Sequence, residues 1–79
     1  MEPYRTLSDG TQVFIQPPGP RDPYADTREP QLWRAYAILP DGTRETIGGR
    51  THWDTSWHNS SEARYWATGW ADAREAGRG

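Results

Sequence analysis

The sequence predicts an α+β domain: an antiparallel four-stranded sheet (two β-hairpins) with one C-terminal helix packed on one face, in the order ββββα. Three observations predict this fold. Two strand-like stretches each turn at an Asp-Gly pair, a Pro-rich connection separates them, and an amphipathic stretch follows. Because the chain has 79 residues and no cysteine, we expect one domain that is stabilised by packing, chiefly of its five tryptophans.

The first hairpin is expected over residues 4–16. Tyr4–Leu7 and Gln12–Gln16 are strand-like, and the Asp9-Gly10 pair between them is a strong turn signal. The two stretches are therefore expected to pair with each other in antiparallel fashion.

The connection between the hairpins, residues 17–31, contains five prolines and several charged residues. Such a segment cannot be a helix or a central strand, and we expect a long surface connection with polyproline character. Its Pro17-Pro18-Gly19-Pro20 stretch has the PxxP spacing that docks into aromatic grooves. A stiff connector would have the same composition.

The second hairpin is expected over residues 32–51. Leu32–Leu39 is the outgoing strand, Pro40-Asp41-Gly42 a type I turn with a left-handed glycine bulge, and Arg44–Thr51 the returning strand. This loop length predicts three cross-strand pairs: Leu39 with Thr43, Ala35 with Ile47, and Trp33 with Gly49.

An internal repeat relates the two hairpins. Residues 4–15 align without gaps on residues 36–47, and six of the twelve positions are identical. The shared residues are turn formers and alternating apolar positions. Turn chemistry alone and a true duplication both explain the similarity.

The C-terminal stretch, residues 60–76, is expected to be an amphipathic helix. Its apolar residues recur at helical spacing and form one stripe: Ala63, Trp66, Ala67, Trp70 and Ala73. Asn59, Ser60 and Ser61 are all suitable N-caps, and if Asn59 is the cap, Glu62 can complete a capping box. Gly77 is expected to end the helix in a left-handed conformation, and Gly69 suggests a strand passing close to the helix backbone.

One face of the sheet is expected to pack against this helix. By the register given above, that face carries Trp33, Ala35, Ala37, Leu39, Ile47, Leu7, Val13 and Ile15. The small Ala35 and Ala37 would leave room for the bulky Trp66 and Trp70.

The opposite face of the sheet is expected to combine aromatic and basic side chains. Its residues would be Tyr4, Phe14, Arg34, Tyr36, Ile38, Arg44 and Arg50, with Tyr4 and Phe14 as cross-strand neighbours. Such a face suits nucleic acid, because guanidinium groups bind phosphates and rings stack on bases. Two alternatives remain open: the Pro-rich connection folds over this face with Tyr24 packed there, or a protein partner or second copy covers it.

The loop over residues 52–59 contains two tryptophans and both histidines. Trp53 and Trp57 would be hot-spot residues for a protein partner or stacking platforms for a sugar if they are exposed, and core residues if they are buried. His52, Asp54 and His58 could ligate zinc with an open position, but their spacing matches no standard motif. We therefore expect no metal and no other cofactor.

Catalytic constellations are not apparent in the sequence. His58-Asn59-Ser60 places an imidazole near a hydroxyl, but neighbours in sequence rarely have the geometry of a nucleophile and its base. There is no phosphate-binding glycine loop and no Cys/His pair. The chain is expected not to be an enzyme.

Charge and hydropathy narrow the class of partner. The net charge of −2 gives no global attraction to nucleic acid or to anionic membranes. The basic residues are all arginines, which a GC-rich genome explains as well as selection for guanidinium chemistry does. No apolar run approaches the ~20 residues of a membrane span, and no signal-peptide core follows Met1. A soluble cytoplasmic protein is expected.

Residues 33–74 contain three short motifs: Trp33-Arg34-Ala35, Asp41-Gly42-Thr43-Arg44 and Ser61-Glu62-Ala63-Arg64-Tyr65-Trp66. In these motifs, about half of the chain resembles the AP2-like arm-type DNA-binding domains of phage integrases. The resemblance implies a three-stranded sheet, backed by a C-terminal helix, that enters the DNA major groove. It also implies that Arg34, Arg44 and Arg50 read bases and phosphates.

Together these patterns favour a small non-enzymatic binding protein, encoded by a phage or another mobile element. It would occupy a partner protein through the open sheet face and the Trp-rich loop. The alternative is a DNA- or RNA-binding module that uses the same face, and both monomer and homodimer are compatible with the sequence. The candidate binding residues are Arg34, Tyr36, Arg44, Arg50, Phe14, Tyr4, Trp53 and Trp57.

Overall fold

The computed structural model describes residues 2–18, 32–51 and 53–77. Within these residues, four strands form one antiparallel sheet in the order β1-β2-β3-β4, and one helix follows. The elements are β1 (Arg5–Thr6), β2 (Gln12–Gln16), β3 (Arg34–Ile38), β4 (Arg44–Thr46) and α1 (Ser60–Ala76). The predicted ββββα fold is confirmed. The predictions for residues 19–31, including the packing of Tyr24, lie outside the described residues.

Both hairpins turn in the same way. Leu7 N donates to Thr11 O and Leu39 N donates to Thr43 O, each at 2.8 Å. Gly10 and Gly42 have φ of 94° and 89°, the left-handed bulge of a three-residue hairpin loop. In each turn the aspartate carboxylate accepts from the threonine N–H two residues on, at 2.8 and 2.9 Å. This shared turn chemistry is sufficient to explain the internal repeat.

The register of the second hairpin agrees with the prediction near its turn and differs at its far end. Ile47 N donates to Ala35 O at 3.0 Å, as expected. Trp33 pairs with Trp57 instead of Gly49, through N–H···O bonds of 2.7 and 2.8 Å. The returning chain bonds β3 as far as Ile47, and Trp57 takes the next place along β3, beside Trp33.

The core lies between the sheet and α1, and alanines form the centre of the contact. The helix contacts β2 and β3, the two central strands. The buried apolar residues are Leu7, Val13, Ala35, Ala37, Ile47, Trp57, Ala63, Ala67 and Ala71. The predicted sheet face is confirmed in its main members, and Ile15 and Trp33 pack against this core while partly exposed.

The predicted helix stripe is wrong in one residue, and its tryptophans are less buried than expected. Ala73 is exposed, and Ala71 is buried in its place. Trp66 and Trp70 pack against the core but are only partly buried. Alanines at i, i+4 and i+8 form one ridge that lets the helix backbone approach the sheet closely, so the large rings are displaced to its flanks.

Three further predictions concern single positions in and beside α1. Asn59 caps the helix, since its Oδ1 accepts from Glu62 N at 2.8 Å. Gly77 is not left-handed: its φ is −69°, and its N–H continues the helix by donating to Ala73 O at 3.0 Å. The strand expected beside Gly69 is absent, because no described atom comes within 4 Å of where its Cβ would stand.

The turn of the first hairpin is fastened to the C-terminal part of α1. Arg74 Nε donates to Asp9 Oδ2 at 3.1 Å and to Thr11 Oγ1 at 3.2 Å, and Thr11 is fully buried. Ser8 donates to the Glu75 carboxylate through its N–H at 2.6 Å and its hydroxyl at 2.9 Å. The hydroxyl and N–H of Thr11, and after them Arg74, lower the pKa of Asp9 from 3.8 to about 2.

The described residues contain no helix that combines the length and the apolar character required of a membrane-spanning segment.

Candidate binding surface

The sheet has one face turned away from α1, which we call the open face. Side chains alternate between faces along each strand, and the residues opposite the buried Val13, Ala35 and Ala37 define this surface. The strand residues on it are Thr6, Gln12, Phe14, Gln16, Arg34, Tyr36, Ile38, Arg44 and Thr46. Its apolar members are partly exposed, and its other members are exposed.

A three-membered stack crosses the open face. Phe14 and Tyr36 are cross-strand partners, and their rings stack with centroids 5.1 Å apart and planes 15° apart. The guanidinium of Arg44 lies over the Tyr36 ring, with Cζ 4.0 Å from its centroid. Because β3 lies between β2 and β4, Phe14 and Arg44 cover opposite faces of Tyr36. The stack holds the cation against the Tyr36 ring.

The open face carries positive charge in a chain whose net charge is −2. Arg34 and Arg44 stand on it, and no strand position of this face in the described residues is an Asp or Glu. The nearest strand carboxylate, Glu45, pairs with Ala37 and therefore belongs to the helix side. Neither arginine forms an ion pair within the described part of the chain.

Two residues predicted for this face lie elsewhere. Tyr4 reaches the helix side, where its Oη is 3.1 Å from Thr68 Oγ1. The following Arg5 pairs with Asp72 at 2.6 Å. Strand pairing is irregular here, since Tyr4 N donates to Val13 O although Arg5 is the residue opposite Val13. The predicted Tyr4–Phe14 contact is therefore wrong, and Phe14 stacks on Tyr36 instead.

Arg50 is the second of these residues. It lies beyond the end of β4 and lines clefts beside Trp66 and Trp70 on the helix side of the domain. The three arginines that the integrase resemblance grouped as readers are thus not brought together: Arg34 and Arg44 share the open face, and Arg50 does not.

No family model, curated protein or solved structure matches this chain.

The two tryptophans of the loop have opposite environments. Trp53 is 81% exposed, whereas Trp57 is 4% exposed and belongs to the core. The indole Nε1 of Trp57 is buried without a hydrogen-bond partner in the described residues. Only Trp53 therefore remains a candidate contact for a partner, and Trp57 positions the loop by pairing with Trp33.

The same loop folds tightly over Gly49. Gly49 N donates to Asp54 O at 2.7 Å, and a Cβ on Gly49 would stand 2.5 Å from Asp54 Oδ2 and 3.2 Å from Trp57 Nε1. A side chain here would displace the Asp54 carboxylate and crowd the Trp57 indole, so glycine is favoured by the close approach of the loop and not by backbone conformation.

The three candidate zinc ligands are only partly within the described residues. His52 lies outside the described residues, and His58 is exposed. Among the residues that are described, no group of three His, Cys, Asp or Glu side chains could hold a metal ion.

An aromatic surface on α1 was not anticipated from the sequence. Tyr65 is 69% exposed and meets Trp66 edge to face, with ring centroids 4.9 Å apart. These rings line a shallow groove with Thr68, Gly69 and Asp72. The signal that could have revealed it is Tyr65 itself, a large aromatic residue that lies outside the apolar stripe of an amphipathic helix.

Proposed function

We propose that this chain is a non-enzymatic binding module that holds a partner protein on the open face of its sheet, with Trp53 as an additional apolar contact. The observation that carries the proposal is the stack of Phe14, Tyr36 and Arg44 on the face opposite α1. Aromatic residues and arginine dominate the energetics of protein interfaces, because they bury large areas and arginine forms several hydrogen bonds at once. Here strand pairing fixes them in advance.

Site-specific photo-crosslinking tests this proposal. A benzophenone amino acid at Thr46, the cross-strand partner of Tyr36, should give a discrete protein adduct in an extract of the organism that carries the gene. The same probe at exposed Arg64 on α1 is the matched control and should not give that adduct. Adding Arg44→Gln to the Thr46 probe should reduce the adduct. An adduct of equal yield from both positions, or none from Thr46, would contradict the proposal.

Nucleic acid is the second candidate ligand, because Arg34 and Arg44 share a face with no carboxylate at its described strand positions. It would agree with the resemblance to the phage integrase domains, and phage origin stays a prediction. Base stacking on Tyr36 is disfavoured, since both faces of that ring are already covered. Nuclease treatment of the extract separates the candidates: it should leave the Thr46 adduct unchanged if the ligand is a protein.

A further inference from the structure

We infer that the open face recognises an acidic polypeptide segment, in which two carboxylates flank an apolar side chain. The inference rests on the proposed function and names the chemical class of the partner. Its basis is the placement of Arg34 and Arg44 at opposite corners of the apolar strip formed by Phe14, Tyr36 and Ile38.

The distance between the backbone positions of Arg34 and Arg44 limits the length of the ligand. Arg44 pairs with Ile38, which lies four residues along β3 from Arg34. At ~3.3 Å per residue and ~4.8 Å between strands, the two arginine Cα atoms lie ~14 Å apart. An extended segment with acidic residues four positions apart spans ~13 Å, which matches the separation of the two arginine Cα atoms. The Arg44 guanidinium extends from its Cα to the Tyr36 ring, so the second carboxylate must reach toward that ring to meet it. The residue midway points to the same side and meets the rings of Phe14 and Tyr36.

The position of the Arg44 guanidinium favours a carboxylate as its binding partner. The Cζ of Arg44 lies 4.0 Å from the Tyr36 centroid, and a guanidinium held there by a ring still has N–H groups to donate to a planar acceptor such as a carboxylate. Holding the side chain against the ring in the free protein reduces the entropy lost on binding.

A polypeptide fits this surface better than a nucleic acid does. A nucleic acid strand repeats its phosphate every ~3.4 Å of rise, and its binding sites usually combine several cations with exposed ring faces. On the open face only two arginines occupy the described strand positions, and the Tyr36 ring is covered by Phe14 and Arg44. A short ligand with two charges is also repelled less than a long polyanion by the acidic remainder of the chain.

An NMR titration of the full ¹⁵N-labelled chain tests the inference with three probes. The first is an extended peptide with two glutamates four positions apart, a valine midway and serines between. The second replaces both glutamates by glutamine. The third is a mixed-sequence single-stranded DNA of matched length. The amide signals of Arg34, Tyr36 and Arg44 should shift with the first probe and not with the second, and the DNA should bind more weakly.

Matched variants assign the charges. Arg34→Gln and Arg44→Gln should each weaken the acidic peptide roughly fivefold, the size of one partly exposed ion pair. Arg64→Gln makes the same charge change on the exposed surface of α1 and should leave binding within about twofold. Arg44→Lys should weaken binding although it keeps the charge, because a lysine lacks the planar group that stacks on Tyr36.

Each contrary result has one meaning. If the glutamine peptide binds equally, or the acidic peptide causes no shifts, the acidic class is wrong. If the DNA binds more tightly than the peptide, the ligand is a phosphate polymer and the inference is overturned. The Thr46 adduct separates the acidic class of the ligand from the proposed function. An adduct without peptide binding rejects the acidic class and keeps the proposed function. If neither the adduct nor peptide binding is seen, both the acidic class and the proposed function are rejected.

Discussion

Asp9 connects a hairpin turn to a helix more than sixty residues away, through Thr11 and Arg74. Its folded-state pKa of about 2 lies below the ordinary 3.8. Its carboxylate therefore stabilises the fold above pH 3.8, and that contribution is lost as the pH falls from 3.8 through about 2.

Asp9→Asn is accordingly expected to lower the melting temperature at pH 7, and the gap from wild type should narrow as the pH falls through this window. Thermal unfolding followed by circular dichroism between pH 7 and pH 2 measures it. Asp41→Asn is the matched control. The same charge is removed there beside the same turn bond, whose acceptor oxygen asparagine keeps. Arg74 acts on Asp41 only as a distant charge and not through a hydrogen bond, so the effect should be smaller. Equal effects would show that the contact with Arg74 adds nothing.

Gly49 is a position where the loop after β4 leaves no room for a side chain. Gly49→Ala places a Cβ against the Asp54 carboxylate and the Trp57 indole, and should lower the free energy of unfolding by about 1–2 kcal/mol through overpacking. In an Asp54→Ala background the cost should shrink, because only the contact with Trp57 remains. Chemical denaturation of the four proteins measures both quantities, and an unchanged cost in that background would contradict this explanation.

At the scale of elements, the helix meets the sheet through alanines. Ala67 is fully buried between its neighbours Ala63 and Ala71. Ala67→Leu should therefore destabilise the domain by about 1–3 kcal/mol, because the helix must move away from the sheet. Ala73→Leu is the same change at an exposed position of α1 and should stay within about 0.5 kcal/mol of wild type. Denaturant unfolding measures both variants. Similar losses of stability in the two would contradict the claim that the helix meets the sheet through its buried alanines.

Gly69 is an exposed glycine in the middle of α1, and no described neighbour occupies the space of a Cβ. Gly69→Ala should raise the free energy of unfolding by about 0.5–1 kcal/mol, because alanine loses less backbone entropy on forming a helix. Denaturant unfolding measures the gain. A loss of stability would show that the position is constrained by contacts that the structure does not contain.

The elements that could be predicted from the sequence are those fixed by nearby residues. The Asp-Gly turns set the register next to each loop, and Asn59 sets the start of the helix. The positions of Tyr4 and Arg50 and the pairing partner of Trp33 were predicted wrongly, because they depend on residues far away in the chain. The alternation of a strand predicts neither the irregular pairing at the sheet edge nor the replacement of β4 by Trp57. The candidate surface was accordingly predicted in its strand residues, Phe14, Arg34, Tyr36 and Arg44, and not at its margins.

At the scale of the whole molecule, charge is divided between the two sides of the sheet. The helix side carries acidic residues that fasten the first hairpin to α1, among them Asp72 and Glu75. The open face carries Arg34 and Arg44 without a strand carboxylate in the described residues. A chain with a net charge of −2 thus presents a locally cationic surface.

The central claim is that this surface holds a fixed cation. Side-chain NMR of Arg44 tests it most directly, because a guanidinium 4.0 Å from the Tyr36 ring centroid lies in the shielding region of that ring. The δ-methylene protons of Arg44 should be shifted upfield in the free protein, and Tyr36→Leu should return them to ordinary values while those of Arg64 stay unchanged. Ordinary arginine shifts for Arg44 in the wild-type protein would contradict the stack and the binding surface built on it.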